Sequence, residues 1–230
     1  QEIMQRVIER MHMSEITICY GMTETAPVSA QSSTEDSVEQ RVSTVGRVHP
    51  HLEVKIVDES GKVVPRGQLG ELCVRGYSVM LGYWEDQDKT QEVIDTARWM
   101  HTGDIAEMDD EGFVKIKGRI KDVVIRGGEN LFPKEIEDFL YTHPAVSDVQ
   151  VIGVPDHKYG EELCACIILH ENDPCTEDVI REYCAEHISH NKVPRYVRFF
   201  HEFPMTASGK AQKFKLREFM REELNLKEIA

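Results

Sequence analysis

The sequence predicts a protein of mixed helices and strands, in the class α/β plus α+β, that changes character near Arg119–Asp122. Before this point, short apolar runs end at turns rich in Gly and Asp, which is typical of strands and hairpins. After it, helical patterns alternate with β-rich runs, as expected for a compact α+β unit. We therefore expect two parts, residues 1–120 and 121–230, joined by a hinge at about residues 119–122.

Each element of the first part has its own pattern. Apolar residues at helical spacing open the chain and predict a helix. Alternating apolar residues around Asp-Glu-Ser-Gly and around Asp-Asp-Glu-Gly predict two hairpins. The expected elements are a helix in QEIMQRVIERMHM, a strand in EITICYGMTET, a hairpin in LEVKIVDESGKVV, a strand in GELCVRG, a helix in DKTQEVI and a hairpin in WMHTGDIAEMDDEGFVKIKGR.

Prolines and a capping residue mark the ends of the helices predicted in the second part. Pro133 stands near the first turn of a helical pattern that Pro144 stops, and Thr176 is placed to cap the next helix. The expected elements are a helix in NLFPKEIEDFLYTHP, strands in VSDVQVIGV and ELCACIILH, a helix in TEDVIREYCAEH, a strand in PRYVRFF and a last helix in FKLREFMREEL.

Composition excludes several classes of partner. The 230 residues carry a formal charge of −14, which argues against nucleic acid, because its phosphates are bound chiefly by Lys and Arg. No apolar run approaches the roughly 20 residues of a membrane helix. Residues 187–217 still hold seven Lys and Arg against one acid, either as a solvated face or as a site for a small anion. The first residues resemble neither a signal nor a transit peptide, so we expect a fragment that begins inside a domain.

The cysteines and histidines do not predict a metal site. Six cysteines lack C-x-x-C spacing, and the ten histidines form no H-x-x-x-H pattern or Cys/His cluster in the sequence. We expect the cysteines to be small buried hydrophobic residues in a reducing compartment. Cys164 and Cys166, two apart in an apolar run, should face one side of a strand.

Two stretches of the first part offer groups for a nucleotide. In YGMTE, Tyr20 could stack on a base, Thr23 could hydrogen-bond a phosphate, and Glu24 could bind Mg²⁺. In WMHTGD, Asp104 could accept hydrogen bonds from two sugar hydroxyls. The plainer interpretations are a turn that ends a strand and an Asp that caps its own backbone.

Two stretches of the second part are equally ambiguous. Gly127 and Gly128, in RGGEN, would let a narrow ligand pass close to the backbone, or would form a plain tight turn. TASGK lacks the first glycine of a P-loop, and Ala211 replaces its hydroxyl residue. Lys210 is then either a mobile charge that reaches a phosphate or an exposed lysine before a helix.

The order of these stretches is more informative than any one of them. From about Ile16 to Leu224 the chain resembles the adenylate-forming superfamily, which comprises acyl-CoA synthetases, luciferases and peptide-synthetase adenylation domains. Within it, VMLGYW, IRGGEN and ISHNKVPRYV are most similar to mitochondrial medium-chain fatty acid–CoA ligases. The motifs that carry the resemblance are, in order, YGMTE, GELCVRG, GYW, TGD, GRIKD, GGENLFPKEIE and SGKAQKFKLRE.

The resemblance implies a two-step ligase that uses ATP, Mg²⁺ and CoA. A fatty acid carboxylate would attack the α-phosphate of Mg·ATP to give acyl-adenylate and pyrophosphate, and the CoA thiol would then displace AMP. Residues 1–120 would be the C-terminal, β-rich part of the large AMP-binding domain. Residues 121–230 would be a small mobile α+β domain hinged at Lys121, where many relatives have Asp. A mitochondrial matrix location is implied in the same way.

Site roles follow from the same resemblance. The substrates that these residues would contact are small molecules, namely ATP, the fatty acid and CoA. The implied roles are Tyr20 on adenine, Thr23 on the α-phosphate, Glu24 on Mg²⁺, Asp104 on the ribose hydroxyls, Arg119 on the ribose or a phosphate, Lys210 between the carboxylate and the α-phosphate, and Gly128 of the Gly127-Gly128 loop in the pantetheine tunnel.

The resemblance also implies what the chain lacks. The Thr/Ser/Gly-rich phosphate loop of the family is missing from it, together with most of the acyl pocket, so we expect the chain alone to be poorly active or inactive. The alternatives are an aryl- or other acyl-CoA ligase, a peptide-synthetase adenylation module, and a non-catalytic module that binds nucleotide or CoA.

Overall fold

A computed structural model describes residues 2–171, 173–207 and 209–226. The chain divides into two compact units, which we call the first unit (residues 1–121) and the second unit (residues 122–230). A hinge at this division stays a prediction. Within the described ranges, every helix is too short or too polar to cross a bilayer.

The first unit contains two antiparallel sheets and three helices. The small sheet has the order β1-β2-β3 and the larger one the order β4-β5-β6-β7. Its helices are α1 (Glu2–Met11), α2 (Val38–Ser43) and α3 (Gln87–Val93), and its strands are β1 (Cys19–Tyr20), β2 (Ala30–Gln31), β3 (Arg47–Val48), β4 (Leu52–Val57), β5 (Gly70–Gly76), β6 (Met100–Met108) and β7 (Val114–Arg119).

The larger sheet buries most of the apolar core of the first unit. One cluster joins all four strands through Ile56, Leu72, Ala106 and Val114, and Tyr20 packs against its edge. Burial of such side chains is the main source of stability for a sheet that has one solvated face. The sheet therefore gives the end of β1 a fixed support.

One hairpin of the first unit forms as predicted and the other forms only in part. β6 and β7 pair around the turn that includes Gly112. After β4, the expected second arm reduces to an isolated bridge between Val57 and Val63, and β4 takes β5 as its neighbour instead. Alternation predicts a strand but not its partner, which explains this error.

Helix α2 is absent from the predicted elements. A reciprocal capping box starts it: the Ser37 hydroxyl accepts from the Gln40 amide N–H at 3.2 Å, and Gln40 Oε1 accepts from the Ser37 N–H at 3.1 Å. The pattern Ser-x-x-Gln was the available signal. It was missed because no long apolar periodicity follows it.

Among its described residues, the second unit has a five-stranded mixed sheet covered by three α-helices. β11 lies at its centre, antiparallel to β10, parallel to β12, and in contact with β8 where Gly160 pairs with Arg126. The elements are β8 (Val124–Arg126), β9 (Glu129–Leu131), α4 (Pro133–Leu140), β10 (Val146–Asp156), β11 (Gly160–Leu169), α5 (Glu177–His187), β12 (Tyr196–Phe199) and α6 (Lys213–Glu223).

Side chains of β11 alternate between two cores. Leu163 and Ala165 belong to the core that includes residues of α4 and α5, whereas Cys164 and Cys166 belong to the core that includes residues of α6. The prediction that these two cysteines are buried on one side of a strand is confirmed. Cys19 is exposed, so the expectation of burial is wrong for that residue.

Gly46 is a position where the fold of the first unit requires glycine. Its φ is +79°, and an added Cβ would lie 2.0 Å from backbone atoms of Gln31. Gly61 has the same φ region, +80°, but no atom lies within 4 Å of its added Cβ. A side chain at Gly61 would therefore cause backbone strain alone, whereas one at Gly46 would cause both strain and steric overlap.

We predict that Gly61→Ala lowers the free energy of unfolding by about 1 kcal/mol, the usual cost of a left-handed φ. Gly46→Ala should lower it by about 3 kcal/mol or more, because overlap with β2 adds to that cost. Urea unfolding followed by circular dichroism measures both changes. Equal losses in the two variants would contradict the close approach of Gly46 to β2.

Candidate functional site

Three predicted nucleotide contacts meet where β6 pairs with the end of β7 in the larger sheet. Asp104 of β6 pairs with Arg119 of β7, and Arg119 Nε lies 3.2 Å from Asp104 Oδ1. The Tyr20 hydroxyl donates to Asp104 Oδ2 at 2.5 Å. Burial, and then this bond to a carboxylate, raises the pKa of Tyr20 above its ordinary value, so the phenol stays neutral and remains a donor.

A bulge in β6 accompanies this position of Asp104. The β5–β6 ladder pairs Cys73 with His101 and then Glu71 with Ile105. Residues 102–104 of β6 are therefore opposite one residue of β5, and the middle one is a glycine at φ +70°. Bulges of this kind re-aim a side chain out of the regular alternation. The TGD sequence is thus a bulge and not a simple turn.

Thr23 and Glu24 lie on a short 3-10 helix, Thr23–Thr25, that follows β1. Thr23 is exposed, and Glu24 Oε1 accepts a hydrogen bond of 2.8 Å from the Tyr83 hydroxyl. Burial and the Glu24 carboxylate raise the pKa of Tyr83 to about 12. Sequence reasoning missed Tyr83 as a partner of Glu24, because the two residues are 59 positions apart.

Gly21 lets the chain turn between β1 and this 3-10 helix. An added Cβ would lie 1.6 Å from the carbonyl oxygen of Pro27, a distance that no side chain can occupy. The Ser29 N–H donates to the Tyr20 carbonyl at 2.8 Å and closes the loop. A glycine is therefore needed to hold Thr23 and Glu24 beside the end of β1.

In the second unit, Gly127 and Gly128 form the turn of the β8–β9 hairpin. Both have positive φ, +60° and +86°, which is the signature of a type I′ turn. The Gly127 N–H donates to the Tyr159 carbonyl at 2.8 Å. An added Cβ on Gly128 would meet no atom within 4 Å, so this glycine faces open space. The structure agrees with the tight turn and leaves room for a ligand.

A buried ion pair holds the start of this turn. Arg126 Nε lies 2.8 Å from Oε2 of Glu162, whose side chain is 1% exposed. The Arg126 guanidinium also lies 4.5 Å from the ring centroid of Tyr159, and Arg195 reaches Glu162 at 3.9 Å. These contacts fix both the hairpin and the β10–β11 turn, so the two glycines sit on a rigid support.

Lys210 lies on a loop that its own backbone closes. Met205 bridges Ala211, and the Thr206 N–H donates to the Lys210 carbonyl at 2.8 Å. Gly209 has φ +77°, and the Lys210 side chain is exposed. Ser208, which belongs to the predicted loop, lies outside the described residues. The exposed lysine before α6 agrees with both interpretations of the sequence.

Three potential metal ligands converge in the described part of the chain. Glu71, Cys73 and His101 place one ligand atom each within 4.8 Å of one another, because β5 and β6 pair residues far apart in sequence. His101 Nδ1 lies 2.7 Å from Glu71 Oε2 and 3.6 Å from Cys73 Sγ. Burial raises the pKa of Cys73 to about 12, so without a bound cation Cys73 is a neutral thiol beside the His101–Glu71 hydrogen bond.

Comparison with known proteins places both units in one family. The AMP-binding enzyme family matches residues 1–84, and the AMP-binding enzyme C-terminal domain matches residues 135–210. Over 98% of its length, the chain is 52% identical to the mitochondrial medium-chain acyl-CoA ligase ACSF2 of Bos taurus. Over the same share, it is 54% identical to the putative acyl-CoA synthetase YngI of Bacillus subtilis. The chain spans 37% and 41% of these two relatives.

A solved structure gives the same result for the fold. The o-succinylbenzoate CoA synthetase MenE of Bacillus subtilis, in complex with the acyl-adenylate intermediate OSB-AMP, matches with a TM-score of 0.85 at 30% identity. The match covers 94% of this chain and 43% of that chain. The predicted fold, the C-terminal part of an adenylate-forming enzyme, is therefore confirmed.

We predict that Arg126→Met lowers the free energy of unfolding of the second unit by about 3 kcal/mol. The variant leaves the buried Glu162 carboxylate with a single, more distant cation, Arg195. Arg126→Met combined with Glu162→Leu should recover most of this loss, since no buried charge remains. Lys134→Met, which breaks the half-exposed pair with Asp138, should cost about 0.5 kcal/mol or less. Urea unfolding measures the free energy of each variant. A double variant that is no more stable than Arg126→Met would show that the loss does not come from the unpaired Glu162 carboxylate.

Proposed function

Since the chain belongs to the AMP-binding enzyme family, we propose that the protein containing it is an ATP-dependent fatty acid–CoA ligase. The acid carboxylate attacks the α-phosphate of ATP, the bond to pyrophosphate breaks, and acyl-adenylate forms. The CoA thiol then attacks the acyl carbon and AMP leaves. The observation that carries the proposal is the Tyr20–Asp104–Arg119 cluster, which supplies groups for a nucleoside in one place.

Asp104 is the proposed acceptor for the ribose. Its carboxylate is largely buried but uses one oxygen for Tyr20 and the other for Arg119, so each oxygen keeps a lone pair for a sugar hydroxyl. The Tyr20 ring packs on the sheet core at one side, and we assign its other side to the adenine base. Arg119 stays half-exposed beside them and can contact the ribose or a phosphate.

Glu24 is the proposed ligand of a Mg²⁺ ion that ATP brings with it. Mg²⁺ takes hard oxygen ligands and commonly uses one or two carboxylates together with substrate phosphates, which a single half-buried Glu fits. Tyr83 holds one oxygen of Glu24, as outer-shell donors of metal ligands do, and leaves the other available. When bound, the ion would neutralise phosphate charge. Thr23, exposed beside Glu24, is assigned to the α-phosphate.

Lys210 and Gly128 are assigned to different steps. In the first step negative charge builds on the α-phosphate oxygens, and the ammonium of Lys210 stabilises it. In the second step the pantetheine arm of CoA needs a narrow path, and the open side of Gly128, in the Gly127-Gly128 turn, gives it space. Lys121 is the proposed hinge residue between the steps.

A medium-chain fatty acid is the acid that the relatives favour. The chain is 52% identical to the medium-chain acyl-CoA ligase of Bos taurus and 30% identical to the o-succinylbenzoate CoA synthetase, whose acid is aromatic. This difference supports a fatty acid over an aryl acid. Relatives from a mitochondrion and from a bacterium are equally similar, so the mitochondrial matrix stays a prediction.

Lys210→Ala in the full-length protein should reduce octanoate-dependent pyrophosphate release by about 100-fold or more, because a fixed cation is lost from the first transition state. The same variant should still form octanoyl-CoA from supplied octanoyl-adenylate. Lys215→Ala, which removes another exposed lysine five positions away, is the matched control and should retain both reactions.

The outcomes separate the candidate functions. A wild-type protein that performs neither reaction is a binding module, and a Lys210→Ala variant with unchanged pyrophosphate release would remove the lysine from the mechanism. The 230-residue chain alone is expected to release little AMP, because the phosphate loop of the family is not in its sequence.

Gly128→Ala should show the opposite pattern. Its methyl group enters the space assigned to pantetheine, so we expect the CoA-dependent step to slow about tenfold or more while pyrophosphate release persists. Gly112→Ala has the same φ of +86° and only Arg66 Nη1, 4.0 Å away, near its added Cβ, which makes it the control for backbone strain. Single-turnover assays of each step measure the effect; equal slowing of both steps would reject the assignment.

A further inference from the structure

The bulge in β6 leaves backbone groups that the sheet cannot satisfy. Residues 102–104 face one residue of β5, so the Gly103 and Asp104 N–H groups have no partner in the β5–β6 ladder. Backbone donors that are removed from water need a partner from elsewhere, and side chains are the usual substitute. Two side chains supply it here.

Glu71 satisfies the first of these groups. Its Oε1 accepts from the Gly103 N–H at 3.0 Å, and its Oε2 lies 2.7 Å from His101 Nδ1. Because an ionised carboxylate only accepts, the Nδ1 of His101 carries the proton of this bond. Glu71 of β5 therefore forms hydrogen bonds with the two residues of β6 that flank Thr102.

Thr102 satisfies the second group. Its hydroxyl donates to the Leu72 carbonyl at 2.7 Å and accepts from the Asp104 N–H at 3.1 Å. Leu72 is the residue of β5 that lies opposite residues 102–104. The Thr102 hydroxyl thus bridges β5 and the bulge, and Glu71 holds the bulge from the neighbouring strand.

We propose that Glu71 is a positioning residue for the nucleotide site, which it serves by holding the β6 bulge in the geometry that presents Asp104 to the ribose. This role rests on the proposed function of Asp104. Glu71 makes none of the contacts described for Tyr20, Asp104 or Arg119, so its effect passes through the backbone of 101–104. Without Glu71, the Gly103 N–H loses its acceptor and the glycine regains its wide conformational freedom.

The matched variants differ in the hydrogen-bond acceptor that they leave for the Gly103 N–H. Glu71→Ala removes both acceptors. Glu71→Gln keeps one oxygen for the Gly103 N–H, and its amide N–H2 can donate to His101 Nδ1 once the ring carries its proton on Nε2. Glu53→Ala is the control, because it breaks the bidentate pair with Arg75 on the same sheet and leaves the bulge intact. Should Glu71→Ala not fold, Glu71→Asp replaces it, since its shorter side chain cannot span Gly103 and His101 together.

Two measurements on the full-length protein test the proposal. In Glu71→Ala, the Gly103 amide should exchange with solvent faster, and the KM for ATP should rise about tenfold or more, the usual effect of losing a charged hydrogen bond. The KM for CoA should change by less than about twofold in the same variant. Glu71→Gln should recover most of the ATP affinity, and Glu53→Ala should resemble the wild type in both measurements.

The results distinguish this proposal from the proposed function. Unchanged Gly103 exchange in Glu71→Ala would overturn the support of the bulge, and faster exchange with an unchanged KM for ATP would overturn its link to the nucleotide. Parallel rises in both KM values would indicate a general loss of structure. If the wild type forms no acyl-adenylate, the ligase assignment fails, and calorimetric AMP binding by the same variants then decides whether Glu71 positions a nucleotide site.

Discussion

The proposed ribose site of the first unit depends on the irregular pairing of one strand. β6 changes register with β5 between Glu71 and Cys73, and it changes register with β7 beside Ile105. A regular strand would alternate its side chains between the two faces, whereas in this one the bulge turns Asp104 towards Tyr20. The bulge costs ladder hydrogen bonds, and side chains near it restore them. The site is therefore built into the sheet and does not rest on a free loop.

The same arrangement recurs in the second unit. There the Gly127-Gly128 turn has a backbone that only glycine adopts easily, and a buried carboxylate, Glu162, fixes the adjacent Arg126. A second carboxylate, Glu161, accepts from the Ile125 N–H at 2.7 Å. In both units, glycine supplies an unusual conformation and a glutamate on the neighbouring strand makes it rigid. Part of the large acidic excess of the chain thus serves its internal structure.

Sequence patterns predicted most elements but not their partners. Period and turn residues were enough for the β6–β7 hairpin and for α4–α6, since these signals are local. They could not show that Tyr83 would reach Glu24 or that Glu71 would reach His101, because such contacts depend on strand register over tens of residues. The family resemblance named the parts of the nucleotide that Tyr20, Asp104 and Arg119 would contact. It gave no reason why the backbone would hold these three side chains together.

Placement of the proposed groups agrees with the steps they would serve. The proposed ribose acceptor Asp104 would hold AMP through both reactions, and it lies on the internal strand β6 with two charged or polar partners. The cation of Lys210 would be needed only while charge builds on phosphate in the first step, and it extends from an exposed loop closed by its own backbone. In the proposed mechanism, Asp104, which would act in both steps, therefore has rigid support, and Lys210, which would act only in the first, is exposed.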